Sequence, residues 1–326
     1  MRRMIIDGGT TNLRVYLLDA ATNQVLAESK KDGGVRYTAI DGHNGRLIDL
    51  LHSAMEEVLA TTGTTPGDLE DCVAYGMITS GLGLLEIPHV PAPASASDLG
   101  AAMVSKSFSQ LDDICIRFIP GVRNHASTVN VENCSGMDMM RGEETETIGL
   151  HTLLKPTGPS MFVLPGTHNK FVKVDESGRI LGCMTSISGE LLDVITHHTI
   201  LSDAVAKQFL SADHYNRDIL SAGARECAKS GLGRAAFAGR ILNTLGKEPA
   251  PSIQNWLMGA VLAEDVKAMQ SFAGGADLPV YVAGKSPLQT AFLDVMQELG
   301  LQNGILVDPA VSKQMGIQGA LTIGTA

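Results

Sequence analysis

The chain has 326 residues, enough for two domains with sizeable cores. Hydrophobic residues make up 44% and charged residues 18%, which excludes a disordered chain. The net charge of −10, with no run of Lys or Arg, argues against duplex nucleic acid and anionic membrane as partners. The five cysteines, Cys72, Cys115, Cys134, Cys183 and Cys227, are widely spaced and form no C-x-x-C. That pattern disfavours a disulfide framework or a zinc site and fits a reducing cytosol. Arg2-Arg3 is followed by only three apolar residues before Asp7, so no signal peptide is expected, and no run approaches the ~18–20 apolar residues of a spanning helix. The expected location is cytoplasmic.

In chain order, residues 4–7, 13–18 and 24–28 read as strands. Leu47, Leu51, Met55, Val58 and Leu59 then share one helical face, and that helix ends near Gly63. Residues 73–77 form a short apolar run leading into the small-residue loop 78–81. The order β-β-β-α-β predicts an α/β domain on a mixed sheet. Residues 86–97, with Pro88, Pro91 and Pro93, read as loop, and 114–119 as a strand ending at Pro120-Gly121, near a domain boundary. Residues 142–154 read as a helix. A hairpin at 161–174 and a strand at 182–187 follow, so the second half also starts β-β-β. Residues 191–247 read as a largely helical insertion. Ser252 is a plausible N-cap for a long helix through Met269. Residues 278–283 read as a buried strand, followed by Gly284-Lys285-Ser286 and a helix over 288–299.

One local pattern occurs twice. Asp7-Gly8-Gly9-Thr10-Thr11-Asn12-Leu13-Arg14 near the start aligns with Pro165-Gly166-Thr167-His168-Asn169-Lys170 mid-chain, Gly9 on Gly166, Thr10 on Thr167 and Asn12 on Asn169. Each copy is an apolar run, a tight Gly-Thr turn, and a second strand, the signature of a hairpin tip near a ligand. Such a turn is either purely structural or a phosphate clasp, in which glycines let backbone N–H groups approach phosphate oxygens and the Thr10 and Thr11 hydroxyls add hydrogen bonds. In the second reading Asp7 would hold Mg²⁺ through water, because Mg²⁺ keeps most of its hydration shell. The spacing is not that of a Walker A loop.

Other candidates flank the clasps. Met140-Arg141-Gly142-Glu143-Glu144-Thr145-Glu146 opens a helix. Acids in a first turn complement the helix dipole, and Glu144 and Glu146 need be no more than that. Glu143, ahead of the second clasp, could take a proton from an attacking hydroxyl. Arg14 and Arg141 could pair a carboxylate or phosphate charge, or be solvated. Gly284-Lys285-Ser286 suits an adenosine or α-phosphate contact at a helix N-terminus. His168 could bond phosphate or substrate. The pair His197-His198 has no evident third metal ligand.

Taken together, these residues place the chain among the actin/hexokinase superfamily of ATPases and sugar kinases by resemblance. D-G-G-T-T-N-L-R at 7–14, M-R-G-E-E-T at 140–145, L-P-G-T-H-N-K-F-V at 164–172 and S-G-E-L at 188–191 resemble hallmark segments of the 2-dehydro-3-deoxygalactonokinase family, in order and spacing, over nearly the whole chain. The resemblance implies transfer of the ATP γ-phosphate to the C6 hydroxyl of 2-dehydro-3-deoxy-D-galactonate, with ATP and Mg²⁺. It implies Glu143 as base, with Glu144 as fallback, and Asp7 and Arg141 beside it. Gly8, Gly9, Thr10, Thr11, Gly166, Thr167, His168, Lys170, Gly284, Lys285 and Ser286 would hold the nucleotide. Asn12, Arg14, Met77, Thr79, Ser80, Arg123 and Glu144 would face the sugar acid. The family segment commonly has Trp after its first Asp, where this chain has Gly8, which would open the wall near the sugar.

The expected fold is α/β, with two ribonuclease H-like (actin-like ATPase) domains and a nucleotide cleft between them. The expected domains are 1–118, with the sugar side and first clasp, and 119–326, with the helical insertion, second clasp and adenosine side. The rival readings are a kinase for the 2-dehydro-3-deoxygluconate epimer and an actin-like ATPase acting on a protein partner. The expected partners are a sugar acid and ATP, with no nucleic acid and no membrane. The oligomeric state is open, a homodimer included.

Overall fold

The computed structural model describes residues 1–126 and 128–326. Two compact units emerge: one of Met1–Pro156, Ser177–Gly182 and Gln314–Ala326, the other of Thr157–Glu176 and Cys183–Lys313. A single boundary after residue 118 does not describe this division, because residues 119–156 cluster with the first unit and the chain returns to that unit twice.

The first unit is built on strands β1 (Arg2–Gly8), β2 (Asn12–Asp19), β3 (Val25–Asp32), β4 (Leu69–Tyr75), β5 (Val90–Pro91), β6 (Val104–Lys106), β7 (Ile116–Phe118), β8 (Val122–Arg123) and β9 (Met139–Met140). Its helices are α1 (Arg36–Asp41), α2 (Gly45–Thr62), α3 (Ala96–Ala101) and α4 (Glu143–Leu154). The main sheet has the order β3-β2-β1-β4-β7-β6, and β5-β8-β9 form a small second sheet. β1 pairs antiparallel with β2 and parallel with β4. α2 places Leu47, Leu51, Met55 and Val58 against Met4, Ile6, Val15 and Leu17 of the sheet in one core. The spacing of these residues gives α2 one continuous apolar stripe. Gly63, at φ 64°, ends the helix in the left-handed conformation that glycine adopts without strain.

The second unit contains β10 (Ser160–Leu164), β11 (Asn169–Val174), β13 (Val280–Val282), β14 (Gly304–Leu306) and most of β12 (Ile180–Ser186), whose first three residues cluster with the first unit. Its helices are α5 (Ser188–His198), α6 (Arg217–Ser230), α7 (Leu232–Thr244), α8 (Ala250–Ala273) and α9 (Leu288–Glu298). α10 (Pro309–Gly324) begins here and ends in the first unit. The sheet order is β12-β11-β10-β13-β14, with β10 antiparallel to β11 and parallel to β13. Relabelled by position, this is the β3-β2-β1-β4-β7 order of the first sheet, so the duplication suggested by the two Gly-Thr turns extends to the topology of both sheets. α8 starts earlier than Ser252: its N-cap is Pro249, and the Ser252 N–H already donates to the Pro249 carbonyl. Proline is well suited to a helix start, where the missing N–H has no intrahelical partner. The stretch expected as a helical insertion holds most of α5, then α6 and α7, which pack on α8 in the unit's cores. Among the described residues no helix is long and apolar enough to cross a membrane.

Candidate functional site

In the first unit, Asp7 lies near the C-terminal end of the interior strand β1, paired with Arg14 and Tyr75, and the chain turns through Gly8–Thr11 into β2. The Gly9 N–H donates to the Asn12 carbonyl at 2.9 Å, closing the turn. The segment after β3 braces it from behind: the Val35 and Arg36 N–H groups donate to the Gly9 and Thr10 carbonyls, and the Gly33 N–H to the Thr11 carbonyl. A Cβ at Gly34 would overlap the Gly9 carbonyl, so only glycine allows this approach. Thr10 and Thr11 remain exposed at the tip. Asp7 and Arg14 are direct cross-strand partners, and Arg14 Nη1 lies 2.9 Å from Asp7 Oδ2. Burial pushes the Asp7 carboxyl above the ordinary carboxylate range, and the Arg14 charge and hydrogen bond act against that push. Gly8 does not open a wall. A Cβ there would strike the fully buried Ile78 side chain, which fills the space.

The start of α4 belongs to the same unit. Glu143 Oε2 accepts from the Arg141 backbone N–H at 3.1 Å, and the residue stays partly exposed. Glu144 is fully buried. Both of its oxygens accept from the Gly142 N–H, at 2.9 and 2.8 Å, and one also accepts from Thr145 Oγ1. Burial, then the Glu143 charge, push the Glu144 carboxyl up to about 8. Glu146 is also pushed well up, by burial and then by the Asp7 charge, which puts it within electrostatic reach of the first turn. The Arg141 guanidinium is spent inward: Nη1 donates to Thr79 O at 2.7 Å and Thr79 Oγ1 at 2.9 Å, and Nη2 to Ile87 O at 2.7 Å. It pins the loop that contains Met77, Thr79 and Ser80. Thr79 is fully buried, its hydroxyl donating to Gly76 O, and Ser80 Oγ donates to Met77 O. Arg123, on β8, donates to the carbonyls of Asn124 and Ala126 in its own loop.

In the second unit the turn between β10 and β11 is closed differently. Here the Gly166 N–H donates to the side-chain Oδ1 of Asn169, at 2.8 Å. The brace repeats, with the Glu190 N–H donating to the Thr167 carbonyl, and a Cβ at Gly189 would overlap the carbonyls of Gly166 and Thr167. Thr167 and His168 are exposed, and His168 Nε2 lies 2.6 Å from Glu190 Oε1. Lys170 is 5% exposed, with Nζ donating to Thr185 Oγ1 at 2.5 Å, so its charge is directed along the sheet. Beside this turn lies a cavity of about 420 Å³. It is lined by Gly166, Thr167, Asn169, Ser188 and Gly189 of the turn and its brace, by the apolar walls Leu192, Phe209, Leu210, Met258, Val261 and Leu262, by Asp193, and by Pro287 and Leu288. Gly284, Lys285 and Ser286 lie between β13 and Pro287, and Lys285 and Ser286 are exposed.

The apolar walls, Gly34 and the buried Asp265 on α8 escape a reading of the sequence alone. For Gly34 a signal does exist: a glycine follows the third strand of each repeat, Gly33-Gly34 after β3 and Gly189 of the S-G-E-L segment after β12. The walls come from two separate helices, α5 and α8, and a loop, and no local pattern marks them.

The repeated sheet order, with a braced Gly-Thr turn between the first two strands of each copy, defines an actin-like ATPase and sugar-kinase fold. The chain is similar to the activator of the 2-hydroxyisocaproyl-CoA dehydratase from Clostridium difficile, solved with bound ADPNP, at a TM-score of 0.50 and 14% identity over 99% of this chain and 94% of that one. It is more similar to the crystal structure of a candidate 2-dehydro-3-deoxygalactonokinase from Sinorhizobium meliloti, at a TM-score of 0.78 and 24% identity over 98% and 97% of the two chains. In sequence, residues 7–318 match the 2-keto-3-deoxy-galactonokinase family, and the chain belongs to that family. The 2-dehydro-3-deoxygalactonokinase of Escherichia coli K12 is 27% identical over 304 residues, 92% of this chain and 90% of that protein.

Proposed function

We propose that this sugar-acid kinase transfers the γ-phosphate of ATP to the C6 hydroxyl of 2-dehydro-3-deoxy-D-galactonate, giving the 6-phosphate and ADP. The observation that carries the nucleotide assignment is the cavity beside Gly166–Thr167. A site for a nucleoside triphosphate needs an apolar slot for the base beside a glycine-containing turn for the phosphates, and this cavity is walled largely by apolar side chains and lined by Gly166 and Thr167 of the turn. The Gly9–Thr11 turn, with glycines and two exposed hydroxyls, is the second phosphate-binding element.

Phosphoryl transfer demands mainly positioning and charge stabilisation. The sugar hydroxyl attacks the γ-phosphorus, the bond to the bridging oxygen breaks, ADP leaves, and the hydroxyl proton goes to a base. Glu143 is that base in this reading: its carboxylate is partly exposed and only one oxygen is engaged, by the Arg141 N–H. Glu144 is less suited, because both of its oxygens cap Gly142 inside the protein. Arg141 and Thr79 shape the sugar side by fixing the 76–89 loop, while Met77 and Ser80 lie nearer its surface.

The first turn fits Mg²⁺. Asp7 offers a carboxylate with Oδ2 held by Arg14 and Oδ1 left for a metal-bound water, and the neighbouring donors are hard hydroxyl oxygens. Bound there, the ion would neutralise charge on the phosphate oxygens.

The test is ADP release from ATP-Mg²⁺ with 2-dehydro-3-deoxygalactonate, its gluconate epimer, plain hexoses, or no sugar. Release that depends on the galactonate substrate is expected. Equal rates on both epimers would widen the substrate assignment, and release indifferent to sugar would overturn the kinase reading.

A further inference from the structure

α8 is buried around most of its circumference, from Ile253 to Met269, yet it carries an aspartate at 2% exposure. A carboxylate in such a place is costly unless every oxygen is engaged. Asp265 is engaged on both: Asn169 Nδ2 donates to Oδ2 at 2.6 Å and Ser188 Oγ donates to Oδ1 at 2.6 Å. Burial pushes this carboxyl up, and hydrogen bonds from Ser186, Ser188 and Asn169 act against the push. Ser186 Oγ and Ser188 Oγ are themselves 2.5 Å apart.

Both arms of this network end on one turn. The Asn169 amide that gives its Nδ2 to Asp265 takes the Gly166 N–H on its other end. Ser188 precedes Gly189, the residue packed behind the carbonyls of Gly166 and Thr167. The first turn is closed by a backbone carbonyl, that of Asn12, whose position the strand fixes. The second is closed by a side-chain amide, which can flip end for end. Only an acceptor-only group on the Nδ2 side keeps the oxygen facing Gly166.

We propose that Asp265 is a positioning residue for nucleotide binding: by orienting Asn169 and Ser188 it presets the Gly166–Thr167 turn to receive phosphate. The proposal rests on the reading of that turn as a phosphate clasp.

The experiment compares steady-state KM for ATP-Mg²⁺ and for the sugar acid in Asp265→Asn, Ser188→Ala and Thr167→Glu, with the melting temperature of each in the absence of nucleotide. Asp265→Asn keeps the shape of the side chain but turns one acceptor into a donor. It is expected to raise the ATP KM by roughly 10- to 100-fold and leave the sugar KM unchanged, the range that loss of a hydrogen bond to a charged group corresponds to. Ser188→Ala, which removes one arm, is expected to raise the ATP KM by a smaller factor and keeps the test open should Asp265→Asn fail to fold. Thr167→Glu places a negative charge on the exposed clasp. If it weakens ATP while the other two leave the ATP KM unchanged, or raise both KM values equally, the role of Asp265 is overturned. If Thr167→Glu also leaves ATP unaffected, the clasp reading itself fails.

Discussion

Arg14 and Asp7 face each other in register across β1 and β2, with the guanidinium 2.9 Å from the carboxylate. Burial raises the Asp7 carboxyl above the ordinary carboxylate range, and the Arg14 charge and hydrogen bond oppose that rise. Removing the cation in Arg14→Met should therefore raise the Asp7 pKa further. The acid limb of the kcat/KM profile should move to higher pH if, as proposed, the ionised Asp7 carboxylate holds the metal-bound water. An acid limb unmoved in this variant would separate Asp7 from the activity.

Glu143 is assigned the proton-accepting role. Glu143→Gln should lower kcat by ~10²–10⁴-fold, the usual range for a general base, while ATP titrated into the protein binds as before. Near-normal turnover would move the base elsewhere, with Glu144 the next carboxylate to substitute.

Glu144 links pH to stability. Its carboxyl stands at about 8 in the fold against an ordinary 4.5, so the folded state holds the proton more tightly than the unfolded chain. The stability contributed by the protonated form is complete below about 4.5 and is lost as pH rises through about 8. Glu144→Gln does not titrate. Urea unfolding at pH 5 and pH 9 should show the variant gaining on the wild type as pH rises, and a constant difference would contradict the shift.

Gly189 has carbonyls of the second clasp where a side chain would sit. Gly189→Ala should destabilise the protein by ~1–3 kcal/mol, as overpacking does, and should also raise the KM for ATP more than the KM for the sugar. A fall in stability with an unchanged ATP KM would show that the turn can shift without affecting its ligand.

The sequence by itself determined the two Gly-Thr turns, the three strands that begin each half and the family resemblance. These are local facts: an apolar run followed by glycine and alternating residues can form little else than a strand and a tight turn, and a repeat read once is read again. Tertiary structure decided which carboxylates face inward. Glu143 and Glu144 are adjacent and chemically alike, yet one is partly exposed and the other is sealed on the Gly142 N–H, a difference set by how α4 packs. Tertiary structure also decided that Arg141 braces a loop and that Gly8 meets Ile78. Asp265 reaches Asn169 across 96 positions, and the cavity walls gather from α5, α8 and the loop before α6. No short-range pattern encodes such contacts, because their partners meet only once the sheet and helices have packed.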